Sequence, residues 1–181
     1  MAGLNPMFLI AIPQLGDPNF ARSVVLLLHH GAEGALGLVV NHASELTIGN
    51  FAREHSLACH SSVKDRAVMR GGPVEPARGW ILHGDPDVKE RQEVVAGLYV
   101  SGSIETLGGL IASGSAPFKL LLGYAGWGPG QLEHEMKLGS WLTVEPDAKH
   151  VLYTAPSDAW AGVLRDMGVD PARLAIATGI H

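Results

Sequence analysis

The chain has 181 residues, 46% of them apolar and 17% charged, with a formal net charge of −5. That balance excludes a disordered segment and gives a single domain, residues 1–181, enough length to bury about 70% of the surface of its unfolded chain. The 13 basic residues are scattered without a run, so the counterion-release contribution behind nucleic-acid binding is small and DNA binding is disfavoured.

Phe8–Ile12 reads as a short buried strand closed by Pro13. No basic residue precedes it, so it is expected to be a strand rather than a secretion signal. Asp17-Pro18-Asn19-Phe20 reads as a turn. Ser23–Leu28 and Ala35–Val40 are two β-branched and leucine runs. The short connector between them, His29 to Gly34, favours an antiparallel hairpin over a crossover. Thr47 can cap a helix in which Ile48, Phe51, Ala52 and His55 recur at i, i+3, i+4, i+7. Ser56 to Asp65 is polar and reads as a surface loop. Ala67–Arg70, Trp80–His83 and Glu93–Val100 read as strands, punctuated by Gly71-Gly72-Pro73 and Asp85-Pro86-Asp87.

Ser103 caps a helix over Ile104–Ala112, whose stripe is Leu107, Leu110 and Ile111 and which Gly114 ends. An apolar strand at 119–124 then runs into a glycine-rich loop, with glycine at 123, 126, 128 and 130, and into a helix at 129–137 with Gly128 as its cap. Trp141–Val144 is a short strand. Ser157 caps a helix bearing Trp160, Val163, Leu164 and Met167, stopped by Gly168. Asp170-Pro171 opens a last short helix. Strands and helices mix without strict βαβ alternation, which predicts an α+β fold. Its sheet is expected to be curved and largely antiparallel, with helices packed on it. No apolar run approaches the ~20 residues of a membrane-spanning helix, and a cytoplasmic setting is expected.

Few residues carry recognisable chemistry. The lone Cys59 rules out an intrachain disulfide and a cysteine-based zinc site. His134-Glu135 begins like a zinc motif but lacks the second histidine, and no metal is expected. If 23–28 and 35–40 form a hairpin, His29 and His30 lie at one edge and His42 at the other, so they do not converge. No serine has glycine at both −2 and +2, so there is no nucleophile elbow. The glycine loop is neither a dinucleotide fingerprint nor a Walker loop, and no cofactor is expected.

Two features still point to a contact surface. One is the glycine-framed Trp127 segment before the helix; the other is Arg70 beside the bare backbone of Gly71 and Gly72. The expected ligand or partner contacts are Arg70, Gly71, Gly72, His83, Gly126, Trp127, Gly128, Gly130 and Gln131. For Trp127 the competing reading is a packing anchor.

Several motifs, taken in order, resemble the AlgH/YqgE family. They are Leu9-Ile10-Ala11 with Pro13, Asp17 to Val24, Glu33 to Asn41, Gly71-Gly72-Pro73-Val74, Gly123 to Glu135, and Ser140-Trp141. The resemblance implies a small bacterial cytosolic protein whose sheet curls into a pseudo-barrel, and a regulatory role. It brings no established catalytic residues. The expected function is a non-enzymatic binding or regulatory protein that uses the glycine–tryptophan segment to contact a protein or small molecule. The alternatives are a hydrolase or transferase acting on an anionic small molecule near Arg70, and a DNA-binding regulator.

Overall fold

The structure, a computed structural model, describes residues 5–12 and 20–178, the last four by backbone alone. Most of the turn expected at Asp17-Pro18-Asn19-Phe20 therefore lies outside the described residues, as does the tail after Thr178.

Among the described residues, ten strands make one curled, mostly antiparallel sheet, a half-barrel with helices packed on it. The strands are β1 (Met7–Ala11), β2 (Val24–Gly31), β3 (Gly34–Val39), β4 (Ala43–Thr47), β5 (Ala67–Arg70), β6 (Val74–His83), β7 (Gln92–Val95), β8 (Leu98–Ser101), β9 (Phe118–Trp127) and β10 (Trp141–Val144). The order is β10-β1-β2-β3-β9-β6-β8-β7, with β4 paired to β5 and β5 to β9. Only the β5–β9 pairing is parallel among the described strands.

Strand β9 is the seam. Its first half pairs with β5 through Leu121 and Leu122, and its last residues pair with β3 from Ala125 to Trp127. Gly123 lies between the two stretches with φ +80°, a backbone that side chains resist. The strand bends there and exchanges one neighbour for another. A Cβ at 123 would sit 2.3 Å from the Gly72 carbonyl oxygen, and a Cβ at Gly71 would sit 2.3 Å from that of Gly123. The glycines at 71, 72 and 123 thus let β5 and β9 approach each other.

Alternation along the strands sends residues to two faces. Phe8, Ile10, Val24, Leu26, Leu38 and Leu121 form one core with Trp160, Val163 and Leu164 of helix α4 (Pro156–Asp166). On the other face, Leu9, Val25, Leu27 and Trp127 pack on Leu132 of helix α3 (Gln131–Lys137). Ile81, Phe118 and Leu120 pack on α1 (Ile48–Glu54) and α2 (Ile104–Ser113). Each such fully buried aliphatic or aromatic side chain contributes about 1.5–3 kcal/mol.

The hairpin of β2 and β3 forms as its short connector requires, and Thr47 and Ser103 cap their helices through their side-chain oxygens. The stretch expected as one strand from Glu93 to Val100 is two, because Gly97 at φ +78° turns the chain between β7 and β8. The supposed glycine loop is strand as far as Trp127, and α3 starts at Gln131 behind Gly130, not at Pro129 behind Gly128. Helix α4 begins with Pro156 as its first residue and has no side-chain cap from Ser157. A π-helical turn at Lys149–Tyr153 leads into it, and a last helix, α5, spans Pro171–Thr178.

Candidate functional site

The residues singled out by the sequence divide into two groups. Gly126 to Gln131 lie together at the end of β9 and the start of α3, and Gly71 and Gly72 pack against β9 nearby at Gly123 and Tyr124. His83 lies at the far end, paired with Phe118. Eight residues of strand separate it from Gly126, about 27 Å at the usual rise. The nine residues therefore do not share one cleft.

Trp127 is only 5% exposed. Its ring stacks at 6.1 Å on Phe20 and meets Trp141 edge-on at 6.0 Å. Glu135 Oε1 accepts the indole N–H groups of both Trp127 (3.4 Å) and Trp141 (3.1 Å). Helix α3 thus holds its carboxylate where it latches two tryptophans. Glu135 Oε2 is buried without a hydrogen-bond partner among the described residues. Nearby, Gln131 Oε1 accepts the Gly128 N–H at 3.0 Å. His30 Nε2 hydrogen-bonds Glu133 Oε1, and that contact holds the Glu133 carboxyl below the usual range.

The Ser101–His83 and Ser23–His42 contacts do not form activated nucleophiles. Ser101 Oγ donates to the Glu90 carbonyl at 2.7 Å, so its proton is committed. His83 Nε2–H must then donate to Ser101 Oγ at 2.8 Å, while His83 Nδ1 accepts from Asp85 N–H. Burial lowers the pKa of His83, which favours this neutral form. His42 Nε2 faces the Ala21 carbonyl at 3.1 Å and Ser23 Oγ at 3.3 Å. A carbonyl only accepts, so this nitrogen carries the proton. A general base needs the opposite arrangement.

A larger cleft among the described residues lies elsewhere and was not legible in the sequence. It encloses about 770 Å³ between the 66–69 and 114–119 segments and the 152–157 segment that joins the π-helical turn to α4. Met69, Phe118, Leu152 and Tyr153 give it apolar walls. Its ionisable groups are Arg66, Lys119 and Tyr153, with no carboxylate among the described residues that line it. Lys119 Nζ donates to the Val40 carbonyl at 3.1 Å. Burial lowers the pKa of this amine from 10.5 to about 8. Arg66 sits 5.9 Å above the Phe118 ring.

A second hollow of about 390 Å³ adjoins the first, sharing Pro156 and Ser157. Arg22 and His42 line it, again without a carboxylate among the described residues. Arg22 has φ +51° and lies 5.5 Å over Trp160. Its backbone is clamped by Asn41, which donates to the Arg22 carbonyl and accepts from Val24 N–H, both at 2.9 Å. Arg70 donates its backbone N–H to the His42 carbonyl, and its charge helps depress the His42 pKa after the larger effect of burial. The two hollows make a cationic trough across a chain of net negative charge.

An AlgH-like family model matches residues 8–172. The chain belongs to this family. A UPF0301 protein of Myxococcus xanthus is 47% identical over 181 residues, covering all of both chains. One of Ruegeria pomeroyi is 37% identical, covering 97% of this chain and 98% of its own. The solution structure of AlgH from Pseudomonas aeruginosa superposes with a TM-score of 0.74 at 32% identity, over 99% of this chain and 95% of the other. A crystal structure from Corynebacterium diphtheriae, at 22% identity, shares the fold with a TM-score of 0.71, over 98% of this chain and 93% of that one. Among the described residues, no helix is long and apolar enough to cross a membrane.

Proposed function

We propose that this AlgH-like protein is a non-enzymatic binding or regulatory protein, and that its ligand is an anionic small molecule with an apolar body seated in the Lys119 cleft. The observation that carries this reading is Lys119 itself. It is a buried cation among the lining of an apolar-walled cleft that has no carboxylate among its described lining residues. A cation that burial has made costly gains from an anionic partner, and the apolar walls supply area for the ligand body. A volume of about 770 Å³ suits a small molecule rather than a peptide segment.

The glycine–tryptophan segment serves this reading as scaffold, with Trp127 buried in the latch made by Glu135. Of the contacts expected from sequence, Arg70 enters this reading only through the effect of its charge on His42. The enzymatic alternative finds no activated nucleophile in the Ser101–His83 and Ser23–His42 contacts.

Titration with octanoate, followed by NMR, tests the proposal, with octanol as the uncharged control. Octanoate should bind more tightly than octanol, and Lys119→Met should weaken it by about tenfold or more, equivalent to ~1.4 kcal/mol. Affinity should fall as the pH rises through about 8, where the ammonium is lost. Equal binding of the two probes, or binding indifferent to Lys119→Met, would sink the reading.

A further inference from the structure

A second groove, of about 600 Å³, lies on another part of the sheet. Its lining includes Arg78 and Trp80 on β6, Lys89 and Arg91 on the loop before β7, and Ser101 on β8. Among the described lining residues, three cations meet here against one carboxylate, Glu90.

The guanidinium groups are braced. Arg78 sits 4.3 Å over the Trp80 ring and 5.7 Å from that of Tyr124. Arg91 sits 5.1 Å over Tyr99 and donates Nη1–H to the Val88 carbonyl at 2.9 Å. Stacking orients a guanidinium while leaving N–H groups at its edge free to donate, so less freedom is lost on binding. The Arg78 partner, Glu75, stands at 3.7 Å, and both side chains are at least half exposed, so this ion pair is easily displaced. The Trp80 indole N–H is buried without a hydrogen-bond partner among the described residues. A buried donor left unpaired is costly.

We propose that this groove is an anion site for a phosphate-bearing small molecule, separate from the Lys119 cleft. Two forked guanidinium groups and an ammonium match the several acceptor oxygens and multiple charge of a phosphate or diphosphate better than the single charge of a carboxylate. The volume also leaves room for an organic group attached to the phosphate.

Isothermal titration with pyrophosphate, inorganic phosphate and ADP tests the assignment and separates free phosphate from an ester. Pyrophosphate or ADP should bind with a dissociation constant below about 1 mM. Arg78→Ala and Arg91→Ala should each weaken binding by about fivefold or more, and both positions are exposed, so folding should be retained. Arg53→Ala, on the exposed end of α1, should leave binding unchanged, as should Lys119→Met. No binding at about 10 mM of any probe would overturn the proposal. So would equal weakening by Arg53→Ala, which would mark a general charge effect. Loss with Lys119→Met would also overturn it, by placing the anion in the other cleft and leaving the octanoate reading to stand on its own test.

Discussion

Lys119 is the second residue of β9 and opens the apolar strand that the sequence places at 119–124. In the folded chain its ammonium donates to the Val40 carbonyl. Its pKa of about 8 in the native state lies below the ordinary 10.5. Between those two values the unfolded chain holds a proton that the native chain has released, so stability rises with pH across that window. Below pH 8 the cost of keeping the buried charge is fully present. Lys119→Met should therefore raise stability at pH 7 by about 1–3 kcal/mol, and the gain should vanish toward pH 10.5. Urea melts at both ends of the range check this, and a variant less stable than the parent at pH 7 would contradict it. Trp127 gives the opposite lesson. Its glycine neighbours suggest a presented side chain, yet Phe20, Trp141 and the Glu135 carboxylate enclose it. Trp127→Ala should cost about 3–5 kcal/mol in urea denaturation; a loss below about 1 kcal/mol would mean the ring is not a packing anchor.

At the level of elements, the sequence was most legible where one periodicity ran without interruption. Ile48, Phe51 and Ala52 mark α1, Leu107, Leu110 and Ile111 mark α2, and the two apolar runs before Asn41 mark the first hairpin. It was least legible where glycine acts inside a strand. Gly97 splits one apparent strand into β7 and β8, whereas Gly123 bends β9 without ending it. The local residue is the same, and only the neighbouring strands decide the outcome. Strand β4 was missed because Ala43 to Thr47 has only one large apolar residue, Leu46. The Lys119 cleft was invisible because it joins residues near 43, 66, 117 and 155, which have no shared local pattern. The close approach of β5 to β9 gives a test at this scale. A Cβ on Gly72, where φ is +153°, would lie 2.1 Å from the Tyr124 carbonyl carbon. Gly72→Ala should destabilise the fold by about 2 kcal/mol or more, read from its thermal midpoint. Gly130→Ala is the useful comparison: φ is also positive there but the Cβ would meet open space, so only the smaller conformational cost of about 1 kcal/mol remains.

Across the whole molecule, the distribution of charge matters more than its sum. The chain is acidic overall, yet both hollows of the Lys119 trough lack carboxylates among their described lining residues. Local fields of this kind attract anions that the net charge would repel. The same long-range assembly explains why family likeness and fold class could be read from the chain while the Lys119 cleft could not. Motifs record the glycines and tryptophans that fix the scaffold; the cleft is a product of the scaffold once assembled. The seam strand has one more effect. Because β9 is hydrogen-bonded to both halves of the sheet, neither half keeps its edge sealed when the other comes apart. The protein should lose its structure in one concerted step, with no half-folded remnant outlasting the rest.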